Sequence, residues 1–70
     1  MKYLIVFEET KTGFSAYSPD VFGCIATGKT KKEVETNIKD AIEFHLEGLR
    51  MENISLPVPH SYSTYVQISA

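Results

Sequence analysis

Cysteine, long apolar runs and export signals are all scarce in this sequence. It has a single cysteine, Cys24, which excludes an intrachain disulfide framework. No apolar run approaches the roughly 20 residues that a membrane-spanning helix requires. Residues 1–8 carry one lysine, a short apolar run and an acidic end, without the long apolar region and cleavage site of a signal peptide. These absences predict a protein of the reducing cytoplasm with no membrane segment.

Length and composition predict one small domain over residues 1–70. The chain has 70 residues, of which 43% are hydrophobic and 23% charged, as in an ordinary globular protein. A chain of this length buries only about 60% of the surface that it exposes when unfolded, so its core is marginal. Internal repeats and low-complexity tracts are absent from the sequence.

Formal charge is distributed unevenly along the chain. Residues 1–32 have a balance of +2, residues 33–52 a balance of −4, and residues 53–70 carry no charge. An acidic stretch repels phosphate, which disfavours direct nucleic-acid binding and favours a basic partner. The simpler interpretation is a solvent-exposed helix face.

Four segments have the pattern of strands. Residues 2–8 form an unbroken apolar run whose two faces are both apolar, which predicts a central strand covered on both sides. A turn around Gly13 joins this run to an alternating segment, and the pair predicts a hairpin. The predicted strands cover residues 2–8, 14–18, 24–28 and 61–69.

One amphipathic helix is predicted from Thr30 to about Glu52. Thr30 and Glu33 have the spacing of a capping box, in which each side chain satisfies a free backbone donor. Asn53 tolerates the left-handed conformation that often ends a helix, and the prolines that follow forbid its continuation. Phe44, Leu46 and Met51 flank the apolar stripe and either widen the core or border an interface. The stripe consists of Val34, Ile38, Ala41, Ile42, His45 and Leu49.

The element order β-β-β-α-β predicts an α+β domain with a mostly antiparallel sheet and one helix packed on one face. The helix can return the fourth strand beside the first and parallel to it. One helix covers only one face of such a sheet, and the bare face would exceed the apolar area that a monomer usually exposes. We therefore expect another subunit or a partner on that face, and with it a homo-oligomer.

Residues 23–30 match the phosphate-loop pattern G-x-x-x-x-G-K-[ST], but their context argues against a nucleotide site. The four spacer residues are strand formers, and a Pro-Asp turn stands where a buried strand should precede the loop. No later apolar strand ends in an aspartate for magnesium. We interpret Gly23 and Gly28 as turn residues and Thr30 as a helix cap, which leaves nucleotide binding as a remote alternative.

Side chains that could carry catalysis or bind metal do not converge. Glu8 and Glu9 would point to opposite faces of a strand. Cys24, His45 and His60 lack the spacing of zinc ligands, and no base is placed to activate the thiol. We expect His45 to pack in the helix stripe, and we expect no enzyme activity, metal or cofactor.

The turn at residues 19–23 carries the apolar pair Val21 and Phe22. Bulky apolar residues in a loop either pack under the end of a sheet or face a partner, and the sequence leaves both possibilities open. Asp20 follows Pro19, a position where an aspartate commonly bonds to its own backbone.

Several motifs, taken in order, resemble the HicB antitoxin family. Their order and spacing are specific, and they cover almost the whole chain. Phe22 stands where the family commonly has a proline, and Lys29 where it commonly has an acidic residue. The motifs are the turn Tyr17-Ser18-Pro19-Asp20-Val21-Phe22-Gly23-Cys24, the helix start Thr27-Gly28-Lys29-Thr30, then Glu33, Asn37, Ala41-Ile42-Glu43 and Pro57-x-Pro59.

The resemblance implies a partial RNase H-like fold without nuclease activity. It implies an antitoxin of a type II toxin–antitoxin system that binds and covers a small basic HicA-type toxin, an mRNA-cleaving ribonuclease. Family members often add a DNA-binding module; the chain ends at Ala70, so we expect no direct DNA binding. The alternative is an orphan regulatory or protein-interaction domain of the same fold. The residues expected to bind the partner are Pro19, Asp20, Val21, Phe22, Glu43 and Glu47.

Overall fold

Three strands and one helix follow one another in the computed structural model, which describes residues 1–69. The strands are β1 (Val6–Glu9), β2 (Phe14–Tyr17) and β3 (Ile25–Gly28), and the helix is α1 (Lys31–Met51). They form one antiparallel sheet in the order β1-β2-β3, and α1 packs against β2 and β3. The predicted α+β class, with an antiparallel sheet and one helix, is confirmed. Within residues 1–69, α1 lacks the apolar length that a bilayer crossing requires.

The core lies between the sheet and one face of α1. Strand pairing places Phe7, Ala16 and Ala26 in one row, and Ala16 at its centre is fully buried. Two small side chains in this row let the helix approach β2 and β3 closely, as dense packing requires. The buried apolar residues are Ala16, Val21, Cys24, Val34, Ile38, Ile42 and Leu46.

Gly28 sets the distance between β3 and the first turn of α1. A Cβ atom at this position would lie 2.7 Å from the backbone nitrogen of Val34, closer than any ordinary van der Waals contact. The absence of a side chain therefore allows Val34 to be completely buried. Gly13 also allows a close approach, because a Cβ atom there would collide with the Gly28 carbonyl oxygen.

The start of α1 is capped, as the sequence predicts. The Thr30 hydroxyl accepts a hydrogen bond from the Glu33 backbone N–H at 3.0 Å. The Glu33 carboxylate accepts one from the backbone N–H of Lys29 at 2.8 Å, one residue earlier than in the usual capping box. Two free backbone donors at the helix start are thereby satisfied.

The end of α1 also confirms the prediction made for Asn53. This residue has a φ of 57°, in the left-handed region. Its N–H donates to the Arg50 carbonyl at 3.1 Å, and the N–H of Ile54 donates to the Leu49 carbonyl at 2.9 Å. This pair of bonds is the Schellman motif, which reverses the chain at a helix end.

Every fourth residue of α1 from Val34 to Leu46 is buried, and these residues form its core face. Val34, Ile38 and Ile42 are buried as predicted, and Leu46, only 8% exposed, continues the row. Leu46 therefore widens the core, one of the two roles that the sequence left open. His45, predicted to pack, is half-buried.

The predicted fourth strand, residues 61–69, is not part of the sheet that one chain forms. Within the described residues, the segment from 54 to 69 contains no helix, strand or turn. As a result, β1 is an edge strand and not the predicted central strand, and it begins at Val6 instead of residue 2. An anchor at Ser61, described below, holds the start of this segment at the loop between β2 and β3.

Candidate protein-binding surface

Asp20 fastens the C-terminal part of the chain to the loop between β2 and β3. Its carboxylate accepts hydrogen bonds from the backbone N–H groups of His60 and Ser61, at 3.1 and 3.0 Å, and from the Ser61 hydroxyl at 2.7 Å. These partners lie 40 and 41 positions along the chain, not in the local turn that the sequence indicates. Asp20 is buried and fully engaged, so its role in this structure is internal.

The donors around Asp20 lower the pKa of its carboxyl group. The hydrogen bond from the Ser61 hydroxyl is the largest cause, followed by the bond from the Ser61 N–H; burial acts in the opposite direction and is outweighed. The exposed His60 ring adds a contact of 3.2 Å from its Nδ1 to Asp20, and the same Nδ1 lies 2.9 Å from the Val58 carbonyl oxygen. Both neighbours are oxygen atoms that accept hydrogen bonds.

The two apolar residues in the loop after Asp20 differ in burial, so each fits one of the two roles that the sequence left open. Val21 is fully buried and packs under the end of the sheet, in the core. Phe22 is 94% exposed, and Pro19 is exposed as well. Gly23, with a φ of +85°, lets the chain turn immediately after Phe22. Phe22 is therefore available to a partner, whereas Val21 supports the loop from beneath.

The sheet face opposite α1 is half apolar and half polar. Strand pairing aligns Val6, Tyr17 and Ile25 in one row, and Ile25 is 71% exposed. The loop that carries Phe22 joins Tyr17 to Ile25, so Phe22 lies at the same end of the sheet. We call this group the open-face patch. The next row on the same face is polar and consists of Glu8, Ser15 and Thr27.

A groove of about 920 Å³ runs between β1 and α1, on the other side of the sheet from the open-face patch. We call it the edge groove, because it lies along the unpaired edge of β1. Its apolar lining comes from Tyr3, Ile5 and Phe7 on one side and from Ile38, Ile42 and Leu46 on the other. Its charged lining consists of Glu35, Lys39, Glu43, Glu47 and Arg50.

The six residues expected to bind a partner are therefore not brought together. Phe22 and Pro19 lie in the loop at the end of the sheet, whereas Glu43 and Glu47 line the edge groove on the helix side. Partner binding by these exposed residues stays a prediction. Sequence reasoning missed Ile25. The alternation in β3 puts it on the open face, but only the strand register shows that it is aligned with Tyr17.

The residues considered for catalysis, metal binding or nucleotide binding have local structural surroundings. Burial raises the pKa of the Cys24 thiol, and the thiol contacts the Ala41 carbonyl oxygen at 4.0 Å. Among residues 1–69, no group of three or more His, Cys, Asp or Glu side chains could hold a metal ion. The spacer of the phosphate-loop pattern is paired in β3, and Thr30 caps α1.

A family model described as the HicB_like antitoxin of bacterial toxin-antitoxin system matches residues 3–69 of the chain. Two sequence relatives come from distant sources. An uncharacterized 14.9 kDa protein of Haemophilus phage HP1 is 36% identical over 66 residues, which are 94% of this chain and 50% of the phage protein. A UPF0150 protein of Thermoplasma acidophilum is 38% identical over 58 residues, covering 81% of this chain and 84% of that protein. The chain thus spans half the length of the phage relative.

Among solved structures, a chain of a complex described as "HicA3 and HicB3 toxin-antitoxin complex" resembles this protein. It superposes with a TM-score of 0.70 at 35% sequence identity. The match covers 84% of this chain and 70% of the other.

Proposed function

The chain belongs to the HicB-like antitoxin family of bacterial toxin–antitoxin systems, and we propose that it neutralises a small basic HicA-type toxin by binding it. The family membership predicted from the sequence motifs is confirmed. On this proposal, residues 1–70 act as one binding module in the cytoplasm, without catalysis or a cofactor. The toxin, an mRNA-cleaving ribonuclease, is inhibited because its active site is covered.

The observation that carries this proposal is the open-face patch. A phenylalanine that is 94% exposed, in the loop that joins a tyrosine to an exposed isoleucine, is costly in a protein that works alone. Aromatic side chains of this kind are frequent among the few residues that dominate binding energy in interfaces. The patch is the part of the surface best suited to lie against a second protein.

The acidic residues of α1 add electrostatic steering of a basic toxin to the contact proposed for the open-face patch. The exposed face of α1 belongs to the stretch with a balance of −4, and Glu43 and Glu47 are among its acids. A toxin that binds RNA carries a basic surface, and opposite potentials speed the association of two proteins. These glutamates lie on the helix side, so we assign them to steering and the open-face patch to contact.

The proposal is tested with two variants on the same strand and the same face. Ile25→Lys places a charge in the open-face patch, whereas Thr27→Lys places the same charge two residues away, in the polar row. We expect Ile25→Lys to weaken binding of the cognate toxin at least tenfold, about 1.4 kcal/mol, in calorimetry and to abolish growth rescue on co-expression. Thr27→Lys should bind and rescue almost as the native chain does.

Two outcomes would contradict the proposal. The first is that the native chain neither binds the toxin encoded beside it nor rescues growth, which would favour the orphan interaction domain instead. The second is that Thr27→Lys weakens toxin binding as strongly as Ile25→Lys does, which would place the contact elsewhere on the molecule.

A further inference from the structure

The last described residues of the chain, 62–69, form an unpaired segment that we call the tail. Every residue of the tail is exposed, and residues 53–70 carry no formal charge. Along the tail, side chains of two kinds alternate, which is the pattern of a strand with one buried face. One side carries Tyr62, Thr64, Val66 and Ile68, and the other carries Ser63, Tyr65, Gln67 and Ser69.

The edge groove has the properties of a site for such a strand. It borders the free edge of β1, whose outward backbone N–H and C=O groups have no strand beside them in the sheet of residues 1–69. Its floor is apolar and includes the helix residues Ile38, Ile42 and Leu46. A strand added there would bond to β1 along its length and turn its apolar side toward α1.

The dimensions of the tail and the groove agree. The helix residues that line the groove extend from Glu35 to Arg50, a rise of about 22 Å. The tail extends from Tyr62 to Ser69, about 22–24 Å for a strand. One tail is therefore long enough to cover the groove from end to end.

The tail of a chain does not reach its own groove. Pro57 lies near the start of the chain, where its carbonyl oxygen accepts a hydrogen bond from the Tyr3 hydroxyl at 2.7 Å. The chain then crosses to the loop between β2 and β3, where Asp20 holds Ser61. No turn between residues 54 and 69 brings the tail back toward β1. Among the described residues, those that line the groove include none of the tail.

The radius of gyration and the exposed area of the chain show how much surface remains uncovered when the tail lies outside the groove. A compact domain of this length has a radius of gyration of about 11 Å and exposes about 4,400 Å². This chain has a radius of gyration of 14.0 Å and exposes 5932 Å². The excess of about 1,500 Å² exceeds the roughly 800 Å² per partner that a standard interface buries.

We propose that two copies of this chain exchange their tails, each tail lying as a fourth strand in the edge groove of the other copy. The second copy is the occupant because donor and acceptor are both present on every chain, so that one symmetric dimer fills both grooves and leaves no tail free. The exchange also restores the strand that the sequence predicts beside β1. This inference does not rest on toxin binding, which uses the opposite face of the sheet.

Neighbouring residues of the tail provide a matched pair of variants. Val66→Lys places a charge on the apolar side, and Gln67→Lys places the same charge on the polar side. In sedimentation equilibrium, the native chain and Gln67→Lys should have a mass of about 16 kDa, twice the 7.9 kDa of one chain. Val66→Lys should sediment as a monomer with unchanged helical circular dichroism. A monomeric native chain, or equal dissociation of both variants, would overturn the proposal.

A groove variant completes the test. Phe7→Lys keeps an intact tail but damages the groove, and Phe7 is exposed enough to tolerate the change. Mixed with Val66→Lys, which keeps an intact groove, it should form a mixed dimer through one tail in one groove. Failure of the mixture to exceed 7.9 kDa while both variants remain folded would count against the exchange.

A peptide identifies the occupant directly. A synthetic peptide of residues 60–69 should bind to Val66→Lys but not to Phe7→Lys, and the same peptide with lysine at position 66 should not bind. Competition between this peptide and a toxin for the groove would assign the groove to the toxin and overturn the proposal. Ile25→Lys separates the two inferences, because it should weaken toxin binding at least tenfold while the dimer mass is unchanged.

Discussion

At the scale of single residues, Asp20 connects the two halves of the chain. A carboxylate whose pKa is lowered on folding stabilises the folded state fully at pH values above its pKa in the unfolded chain. That contribution is lost as the pH falls through the lower pKa of the folded state. Because the unfolded value is near 4, the loss should occur in the acid range below about pH 4.

The corresponding prediction concerns Asp20→Asn. The asparagine keeps the size of the side chain but loses the negative charge that Ser61 and His60 bind. We expect a lower melting temperature at pH 7 and a shallower loss of stability on acidification, measured by thermal unfolding at several pH values. Asp40→Asn, on the exposed side of α1, is the control and should keep the native acid dependence. An Asp20→Asn protein with the native pH profile would show that this carboxylate contributes nothing.

Cys24 gives a second prediction at this scale. Burial raises the pKa of its thiol, so that little reactive thiolate is present at neutral pH, and the sulfur is also shielded from reagents. Iodoacetamide should therefore modify the folded protein far more slowly than the protein in concentrated guanidinium chloride, as followed by mass spectrometry. Equal rates in the two conditions would show that the region around Cys24 is open in solution.

At the scale of the elements, replacing glycine by alanine should have opposite effects on the free energy of unfolding at two positions of the chain. Gly28→Ala forces a methyl group against the backbone of Val34 and should lower the free energy of unfolding by about 1–3 kcal/mol. Gly48→Ala, inside α1 with open space around it, should raise that free energy by about 0.5–1 kcal/mol. Urea unfolding measures both values, and a stabilised Gly28→Ala protein would contradict the close packing of β3 against α1.

How well each element could be predicted depends on how local its causes are. The helix and both of its ends were predictable, because capping at Thr30 and the left-handed turn at Asn53 depend on residues within one helical turn. The strands of the hairpin and β3 were predictable from short patterns. The course of residues 61–69 was not, because it depends on a bond between Asp20 and Ser61, and no periodicity reports a contact 41 positions apart.

The candidate site shows the same division between local and distant causes. The sequence identified the loop that carries Phe22 and Pro19, since bulky apolar residues in a turn are conspicuous. It could not separate Val21 from Phe22, because which of the two faces the core depends on the path of the loop under the sheet. Nor could it align Ile25 with Tyr17, because the register between β2 and β3 is set by the loop that joins them.

At the scale of the whole molecule, the two proposals assign different partners to the two faces of the sheet. The face toward α1 contains the core and, beyond it, the edge groove, while the opposite face contains the open-face patch. A dimer joined through tails and grooves would leave both open-face patches accessible. On the proposals made above, each dimer would therefore bind two toxin molecules, one on each copy. The small core of a single chain is then completed by the tail of its neighbour.

This arrangement predicts that stability depends on concentration. If the native protein is an exchanged dimer, a tenfold rise in chain concentration should stabilise it by about 1.4 kcal/mol per dimer relative to the unfolded chains, and its melting temperature should rise by several degrees. Val66→Lys, whose tail cannot enter a groove, should melt at one lower temperature at every concentration, whereas Gln67→Lys should follow the native protein. Calorimetric scans at chain concentrations two decades apart measure the difference. A native melting temperature that stays constant would mean that the tail adds nothing to the fold, and that the groove beside β1 is filled by something other than a second copy of this chain.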